Sequence, residues 1–411
     1  MAEEAPVMPR EEKSRRISLI HRAFTPNAPV GGLDVFAGRK EQMERAFAAV
    51  FSPGEHAVVY GERGVGKSSL ANIIYDVVIE AGESNFIPAK VNCSSGMSFT
   101  EIWREVFKQM PITRDGDTFH LDEDVPDDPN SEQIRGLLVQ LDNPSIIVID
   151  EFDRVDETTA TRMADTIKTL SDRGTDTTLV IVGVAESLDQ LIREHESITR
   201  NLVQIHMPRM DRTELLETIE KGLAKAEMSM PDEIRIRIAG LSQGLPHYVH
   251  VLAKNAALAA VRDGRTNVSD NDYKLAIQEA VRDKGETLGR AYQKATHSPK
   301  KNNFPQVLLA CAMAAGKSGF FNAKDVREPL RTVMHDDSLD IQAYIRHLGK
   351  FCDGSRGPVL KKEGSIRRFQ YKFSDPLMQP YVALKGLADG LITDDQLEQA
   401  QFSPSEHPQL F

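Results

Sequence analysis

The residues best suited to chemistry form one glycine-rich stretch, residues 60–69, with the sequence Tyr-Gly-Glu-Arg-Gly-Val-Gly-Lys-Ser-Ser. Gly61, Gly66, Lys67 and Ser68 have the spacing of a phosphate-binding loop. Glycines let the main chain turn tightly and direct N–H groups at phosphate oxygens, and a helix that starts near Lys67 presents its positive end to the same anion. We expect Lys67 to contact the β- and γ-phosphates of a nucleotide and Ser68 to bind Mg²⁺. The residues predicted to bind the nucleotide are Gly61, Glu62, Arg63, Gly64, Val65, Gly66, Lys67, Ser68 and Ser69.

A second strand is needed to hold the metal ion. The apolar run at residues 146–149 ends in Asp150 and Glu151, and open α/β sheets bind ligands at the carboxyl ends of their strands. We predict that Asp150 orients Mg²⁺ through water, because Mg²⁺ keeps much of its hydration. Glu151 is predicted to accept a proton from the attacking water. The alternative is that both carboxylates only cap the strand.

The elements around these residues alternate between strands and helices. The predicted strands are residues 57–60, 86–92, 145–150, 178–183 and 202–207. The predicted helices are residues 40–51, 70–79, 99–110, 131–141, 157–171 and 188–193. This alternation is typical of right-handed βαβ units around a parallel sheet, so the fold class is α/β with a P-loop NTPase core. Residues 111–130 are acidic and rich in turn residues, and they are predicted to be a solvated insertion.

Beyond the α/β core the pattern becomes helical. Three helices and a β-hairpin after residue 304 indicate a winged helix, and residues 283–303 look like a polar linker. The predicted domains are an N-terminal arm at residues 1–30, partly disordered or packed on a neighbour, a nucleotide-binding core at 31–210, a helical lid at 211–295, a winged-helix domain at 296–388 and a loose tail at 389–411.

Composition favours an intracellular protein. The acidic N-terminus does not read as a signal peptide, no apolar run could cross a bilayer, and three widely spaced cysteines indicate reduced thiols. We therefore expect a cytoplasmic location. The net charge of −11 argues against a protein that coats nucleic acid through its overall field, although a local basic patch is compatible with it.

Taken in order, the Phe-Ala-Gly-Arg segment at residues 36–39, the phosphate loop, the strand that ends in Glu151, the helical lid and the winged helix resemble an AAA+ ATPase over residues 30–388. The branch is similar to the Orc1/Cdc6-like ATPases, with features of the signal-transduction (STAND) ATPases. This resemblance implies that ATP and Mg²⁺ are the cofactors and that the chain forms a homo-oligomer. It also implies that Phe36 and Arg39 contact adenine, and that Asn92 restrains Glu151 until a ligand arrives. An alternative for Asn92 is a strand-end cap.

Other positions of the resemblance are less uniform. Arg200 lies where the family keeps an arginine that reaches the γ-phosphate of a neighbouring subunit; Arg193 is a rival, and a surface ion pair is the third possibility. After the fourth core strand the family has a polar residue, and here Glu186 or Ser187 would take that place. The lid arginine is replaced by His247, in a Gly-Leu-Pro-His sequence closer to the STAND pattern, which could donate to a phosphate or pack within the lid. These departures favour a slow ATPase that switches between states.

A basic island lies in the presumed recognition helix and wing. Its members are Arg346, Lys350, Arg356, Lys361, Lys362, Arg367, Arg368 and Lys372. We expect duplex DNA to bind through Arg346, Lys361, Lys362, Arg367 and Arg368, with salt-sensitive affinity. The alternative is a packing or oligomerisation module in a signalling or defence scaffold that recruits a protein effector. A second Gly-Lys-Ser, at residues 316–318, lacks a preceding strand and is predicted to be a turn.

Overall fold

A computed structural model of the chain describes residues 8–26, 37–80, 86–185, 202–283, 287–299, 302–364 and 369–402. The chain divides into two units: Ala28–Pro208, and Met1–Asn27 together with Arg209–Phe411. The predicted helix at residues 188–193 lies outside the described residues.

The unit Ala28–Pro208 is built on a parallel sheet. The strands of this unit in chain order are β1 (His56–Gly61), β2 (Ile87–Asn92), β3 (Pro111–Arg114), β4 (Asp117–His120), β5 (Ser145–Asp150), β6 (Thr177–Val184) and β7 (Leu202–His206). Five of them pair in the order β2-β5-β6-β1-β7, all parallel. In this register Asn92 is opposite Asp150, and Tyr60 is opposite both Gly183 and His206. The predicted parallel sheet is confirmed, and its strand ends share one edge.

Helices cover both faces of this sheet. They are α2 (Lys40–Phe51), α3 (Lys67–Glu80), α4 (Phe99–Lys108), α5 (Ser131–Leu138) and α6 (Glu157–Asp172). Helix α4 begins with a reciprocal cap in which the Ser98 hydroxyl accepts from the Glu101 N–H and the Glu101 carboxylate accepts from the Ser98 N–H. Trp103 is fully buried between Phe99 and Phe107, with ring centroids 6.2 and 5.9 Å away. As predicted, it is a core anchor.

The insertion between α4 and α5 has regular structure that its composition does not predict. Strands β3 and β4 form an antiparallel hairpin. Ile112 is buried while Phe119, opposite it, is 48% exposed. The hairpin is fastened by one apolar residue, and the rest of it is solvated as expected.

The second unit is mainly helical. Its helices are α1 (Arg10–Ala23), α7 (Arg212–Ala226), α8 (Asp232–Leu241), α9 (Pro246–Arg262), α10 (Asp270–Asp283), α11 (Leu288–Thr296), α12 (Phe304–Ala315), α13 (Arg327–Met334), α14 (Ile341–Phe351), α15 (Met378–Ala388) and α16 (Asp394–Phe402). Three of them correct the sequence reading: α1 lies in the predicted arm, α11 in the predicted linker and α16 in the predicted loose tail. Helix α1 packs against α7 and α9 of its own unit. Phe24 is fully buried there, because Gly222 of α7 leaves room for its ring.

A small antiparallel sheet completes this unit. Strands β8 (Phe320–Phe321), β9 (Leu360–Glu363) and β10 (Gln370–Phe373) pair in the order β8-β10-β9. The predicted hairpin is thus present, and β8 is an additional strand that the sequence pattern did not indicate. Of the helices in the described part of the chain, none has the length and apolar character to cross a membrane.

Candidate functional site

The phosphate loop connects β1 to α3 and requires glycine at several points. A Cβ on Gly61 would lie 2.4 Å from the carbonyl oxygen of Met207, so any side chain would force the loop and the end of β7 apart. Gly64 and Gly66 have φ angles of 88° and 98°, a region that side chains disfavour. The Leu70 N–H donates to the Gly66 carbonyl at 3.1 Å, which starts α3 at the end of the loop. The N-terminus of α3 therefore faces the space that the loop encloses.

The Lys67 side chain is largely buried within the loop. It is 7% exposed, and its ammonium donates to the Glu62 carbonyl at 2.8 Å. Burial lowers the pKa of Lys67 to about 8, and the carboxylates of Asp153 and Asp150 oppose this shift. Among the described residues the ammonium donates to a neutral carbonyl, so an anion brought to the loop would favour the charged form of Lys67.

The predicted metal ligands are close to each other. The Ser68 hydroxyl donates to Asp150 Oδ1 at 3.2 Å, and the same oxygen accepts from the Glu151 N–H at 2.8 Å. Asp150 is 4% exposed. A hydroxyl and one carboxylate oxygen are hard donors that fit a Mg²⁺ ion whose remaining positions are filled by water and phosphate. Among the described residues, no cluster of three or more His, Cys, Asp or Glu residues suited to a metal occurs.

Glu151 begins the turn after β5 and is positioned by it. Its φ angle is 56°, an uncommon value for a residue with a side chain. One carboxylate oxygen forms an ion pair with Arg154 at 3.1 Å, and the Glu151 side chain is 43% exposed. Asn92 is exposed opposite Asp150, but its side chain forms no hydrogen bond to any residue in the described ranges. The restraint of Glu151 by Asn92 stays a prediction.

Arg39 contacts the phosphate loop through a hydrogen bond to a main-chain carbonyl. Its guanidinium is buried and donates from Nη2 to the Val65 carbonyl at 3.2 Å and to the Pro208 carbonyl. Arg39 thereby connects the phosphate loop to the chain after β7. An adenine contact for Arg39 stays a prediction, and Phe36 lies outside the described residues.

Two residues near the loop were missed by the sequence reasoning. Asp153 accepts from the Val184 N–H at 2.7 Å, which fixes the end of β6, and its charge acts on Lys67. It was detectable as the third acid of the Asp-Glu-Phe-Asp run. His206 packs beside Tyr60, with ring centroids 5.3 Å apart, and its pKa is lowered by burial and then by the charge of Arg39. Only the strand register reveals it.

The remaining predicted site residues fall elsewhere. His247 is the second residue of α9 in the second unit, where its Nδ1 lies 2.7 Å from the Pro26 carbonyl. Because a carbonyl only accepts, Nδ1 carries the proton. The predicted positions Glu186, Ser187, Arg193 and Arg200 all lie outside the described residues.

The basic island divides into two groups. Arg346 on α14 and both Lys361 and Lys362 on β9 are exposed, and the Lys362 ammonium lies 3.6 Å from the ring centre of Phe369. The other group is used internally: Arg356 donates to the Ala295 carbonyl at 2.6 Å. Lys372 is 7% exposed and pairs with Glu363 at 2.5 Å. Arg367 and Arg368 lie outside the described residues.

Comparison with known proteins supports the core of this description. Residues 52–192 match the family model of the AAA domain. The chain is similar in structure to the Walker-type ATPase of Pyrococcus abyssi, at 14% identity over 87% of this chain and 98% of that one, with a TM-score of 0.51. It is also similar to the ORC2 protein of Aeropyrum pernix in ADPNP and ADP complexes (15% identity, 93% and 98% covered, TM-score 0.49). A third similar structure is the ORC1 protein of Aeropyrum pernix in complex with DNA (16% identity, 89% and 96% covered, TM-score 0.49). A search of curated proteins gives no match.

Residues 52–192 thus match an AAA domain model, and the likeness to the Pyrococcus abyssi ATPase supports the P-loop NTPase fold. At such low identity the solved structures bear on fold alone. The winged helix, the oligomer and the site roles stay predictions.

Proposed function

We propose that this chain is an AAA+ ATPase that binds Mg²⁺-ATP in its phosphate loop and hydrolyses it slowly. The observation that carries the proposal is the 3.2 Å hydrogen bond between Ser68 and Asp150, at the sheet edge where α3 begins. A phosphate loop without a strand-end carboxylate could be a simple anion site. The pair supports the proposal because a hydroxyl and a carboxylate that could bind Mg²⁺ lie beside the positive end of a helix, which suits the phosphates of a nucleoside triphosphate.

In this proposal each residue of the site has a separate role. The loop amides and Lys67 bind the phosphates, and Ser68 and Asp150 hold Mg²⁺, which neutralises phosphate charge when it is bound. Glu151 accepts the proton of the attacking water. His206 ends β7 and lies beside Tyr60 near the end of β1, next to the loop.

Two substitutions test binding and chemistry separately. Lys67→Ala should abolish binding of a fluorescent ATP analogue, because the amides alone provide no full charge. Glu151→Gln should keep binding and stop hydrolysis. Lys317→Ala is the matched control, since Lys317 lies in the second Gly-Lys-Ser, which forms a 3₁₀ turn (Gly316–Ser318) instead of a phosphate loop. Unchanged turnover in Glu151→Gln would remove Glu151 from the mechanism.

The proposal includes an oligomer in which Arg200 acts on the nucleotide of a neighbouring subunit. Such an arginine neutralises charge in the transition state. Mixing Arg200→Ala subunits with Lys67→Ala subunits should recover activity, because each mixed interface can combine an intact arginine with an intact loop. Absence of recovery at any mixing ratio would argue against Arg200. Sizing the protein with and without ATP tests assembly directly.

We further propose that the C-terminal part is a winged helix that binds duplex DNA. Support comes from α12, α13 and α14 beside the β8-β10-β9 sheet, and from the exposed cations Arg346, Lys361 and Lys362. Replacing both lysines with alanine should weaken DNA binding and reduce its salt dependence by up to about two phosphate contacts. Lys274→Ala, an exposed lysine on α10, is the control. ATP-dependent assembly without any DNA affinity would favour the signalling scaffold instead.

A further inference from the structure

The turn that follows β5 fixes the backbone between Glu151 and Arg154. Phe152 is buried in the core, and the Asp153 carboxylate accepts from the Val184 N–H at 2.7 Å. The Arg154 N–H donates to the Glu151 carbonyl at 3.0 Å, closing a 3₁₀ turn. Since the backbone is held at three points, the separation of the Glu151 and Arg154 side chains depends only on their own rotamers.

Within this turn the two side chains form an ion pair. Arg154 Nη2 lies 3.1 Å from Glu151 Oε1, and the side chains are 51% and 43% exposed. A general base needs a free lone pair directed at the proton that it removes. A guanidinium 3.1 Å from one carboxylate oxygen attracts that oxygen away from other partners and biases the rotamer of the carboxylate.

The residue expected to restrain Glu151 was Asn92, which lies on another strand. Asn92 is exposed, and its side chain forms no hydrogen bond to the residues that the structure describes. Arg154, three residues after Glu151 in the same turn, makes the contact instead.

We propose that Arg154 is a positioning residue that restrains Glu151 and lowers the basal rate of hydrolysis. This inference rests on the proposed ATPase function and names a regulatory contact within the same site. The pair is half exposed, so the restraint is modest: exposed ion pairs of this kind change equilibria by about twofold to fivefold.

The test compares steady-state ATP hydrolysis by the full chain and its variants. Arg154→Ala and Arg154→Gln should each raise kcat about twofold to fivefold and leave KM unchanged, because the pair acts on the base and not on nucleotide binding. Arg154→Lys, which keeps a cation, should retain the wild-type rate. Arg135→Ala is the matched control, since Arg135 forms the same kind of pair with Glu132, at 2.8 Å on α5.

Glu151→Gln gives the baseline of this comparison, because its amide neither forms the ion pair nor accepts the proton of the attacking water. Equal kcat in wild type and Arg154→Ala, or a fall in kcat to the Glu151→Gln level, overturns the restraint while leaving the proposed function standing. Binding of nucleotide with no turnover in wild type or in Arg154→Ala overturns the proposed hydrolysis, and the restraint with it.

Discussion

The burial of Lys67 predicts that nucleotide binding takes up a proton. With a pKa of about 8, the free ammonium is about nine-tenths protonated at pH 7, half at pH 8 and one-tenth at pH 9. The net lowering from the ordinary value corresponds to about 3 kcal/mol against the charged form. Phosphates at the loop restore the charged form, so binding should take up about half a proton at pH 8 and about nine-tenths at pH 9.

The same linkage sets the affinity. The sign follows from the bound state holding more protons than the free state, so Kd rises as pH increases through 8, by about tenfold between pH 7 and pH 9. Isothermal titration calorimetry with the ATP analogue, in two buffers of different ionisation enthalpy at each pH, measures the uptake directly. Lys67→Arg is the control, because a guanidinium stays charged throughout this range. Two results would refute the reasoning: no proton uptake by wild type at pH 8, or the same proton uptake by Lys67→Arg as by wild type.

Three further outcomes concern stability. Burial lowers the pKa of His56 to about 4, so the free energy of unfolding should fall by up to about 3 kcal/mol as pH decreases from 6.5 to 4, and His56→Gln should flatten this dependence in chemical denaturation. Gly222→Ala would place a Cβ 2.3 Å from the Phe24 ring and should destabilise its unit by about 1–3 kcal/mol. Gly136→Ala is the control: this glycine has open space around it, so the substitution should stabilise α5 by up to about 1 kcal/mol. Gln379→Leu removes the fully buried amide that donates to the Gly316 carbonyl at 2.8 Å and should lower the free energy of unfolding by about 1–3 kcal/mol in the same measurement. A loss no larger than that caused by replacing an exposed glutamine would contradict the contribution of this hydrogen bond.

The sheet was predictable because its signal is local. Strand β5 has six consecutive buried residues, and such a run between helical segments specifies a parallel strand without knowledge of its neighbours. Helix α1 was missed because its stability comes from distant residues. Its Arg15 donates to Glu227 at 2.9 Å, and Phe24 fits over Gly222. A polar helix beside prolines has no sequence signal that distinguishes it from a free arm.

In the candidate site, too, some features follow from the local sequence and others depend on distant residues. The loop, Ser68 and Asp150 follow from spacing, since a strand and a helix on either side of a glycine turn determine where the backbone points. The use of Arg39 does not follow, because sequence identifies a cation but not whether its partner is a ligand or a carbonyl. The basic island shows the same limit of sequence reasoning. Arg356 and Lys372 count as positive charges in the sequence, yet both form contacts within the fold.

The bond between Pro208 and Arg209 is one of the two places where the chain passes from one unit to the other. In the unit Ala28–Pro208, the Pro208 carbonyl accepts from Arg39, whose guanidinium also donates to the Val65 carbonyl of the phosphate loop. On the other side, Arg209 donates to the buried Gln379 at 2.6 Å. The peptide bond is therefore fastened on both sides by a charged side chain. The Arg39 guanidinium therefore connects the backbone of the phosphate loop to the residue that immediately precedes the boundary between the two units.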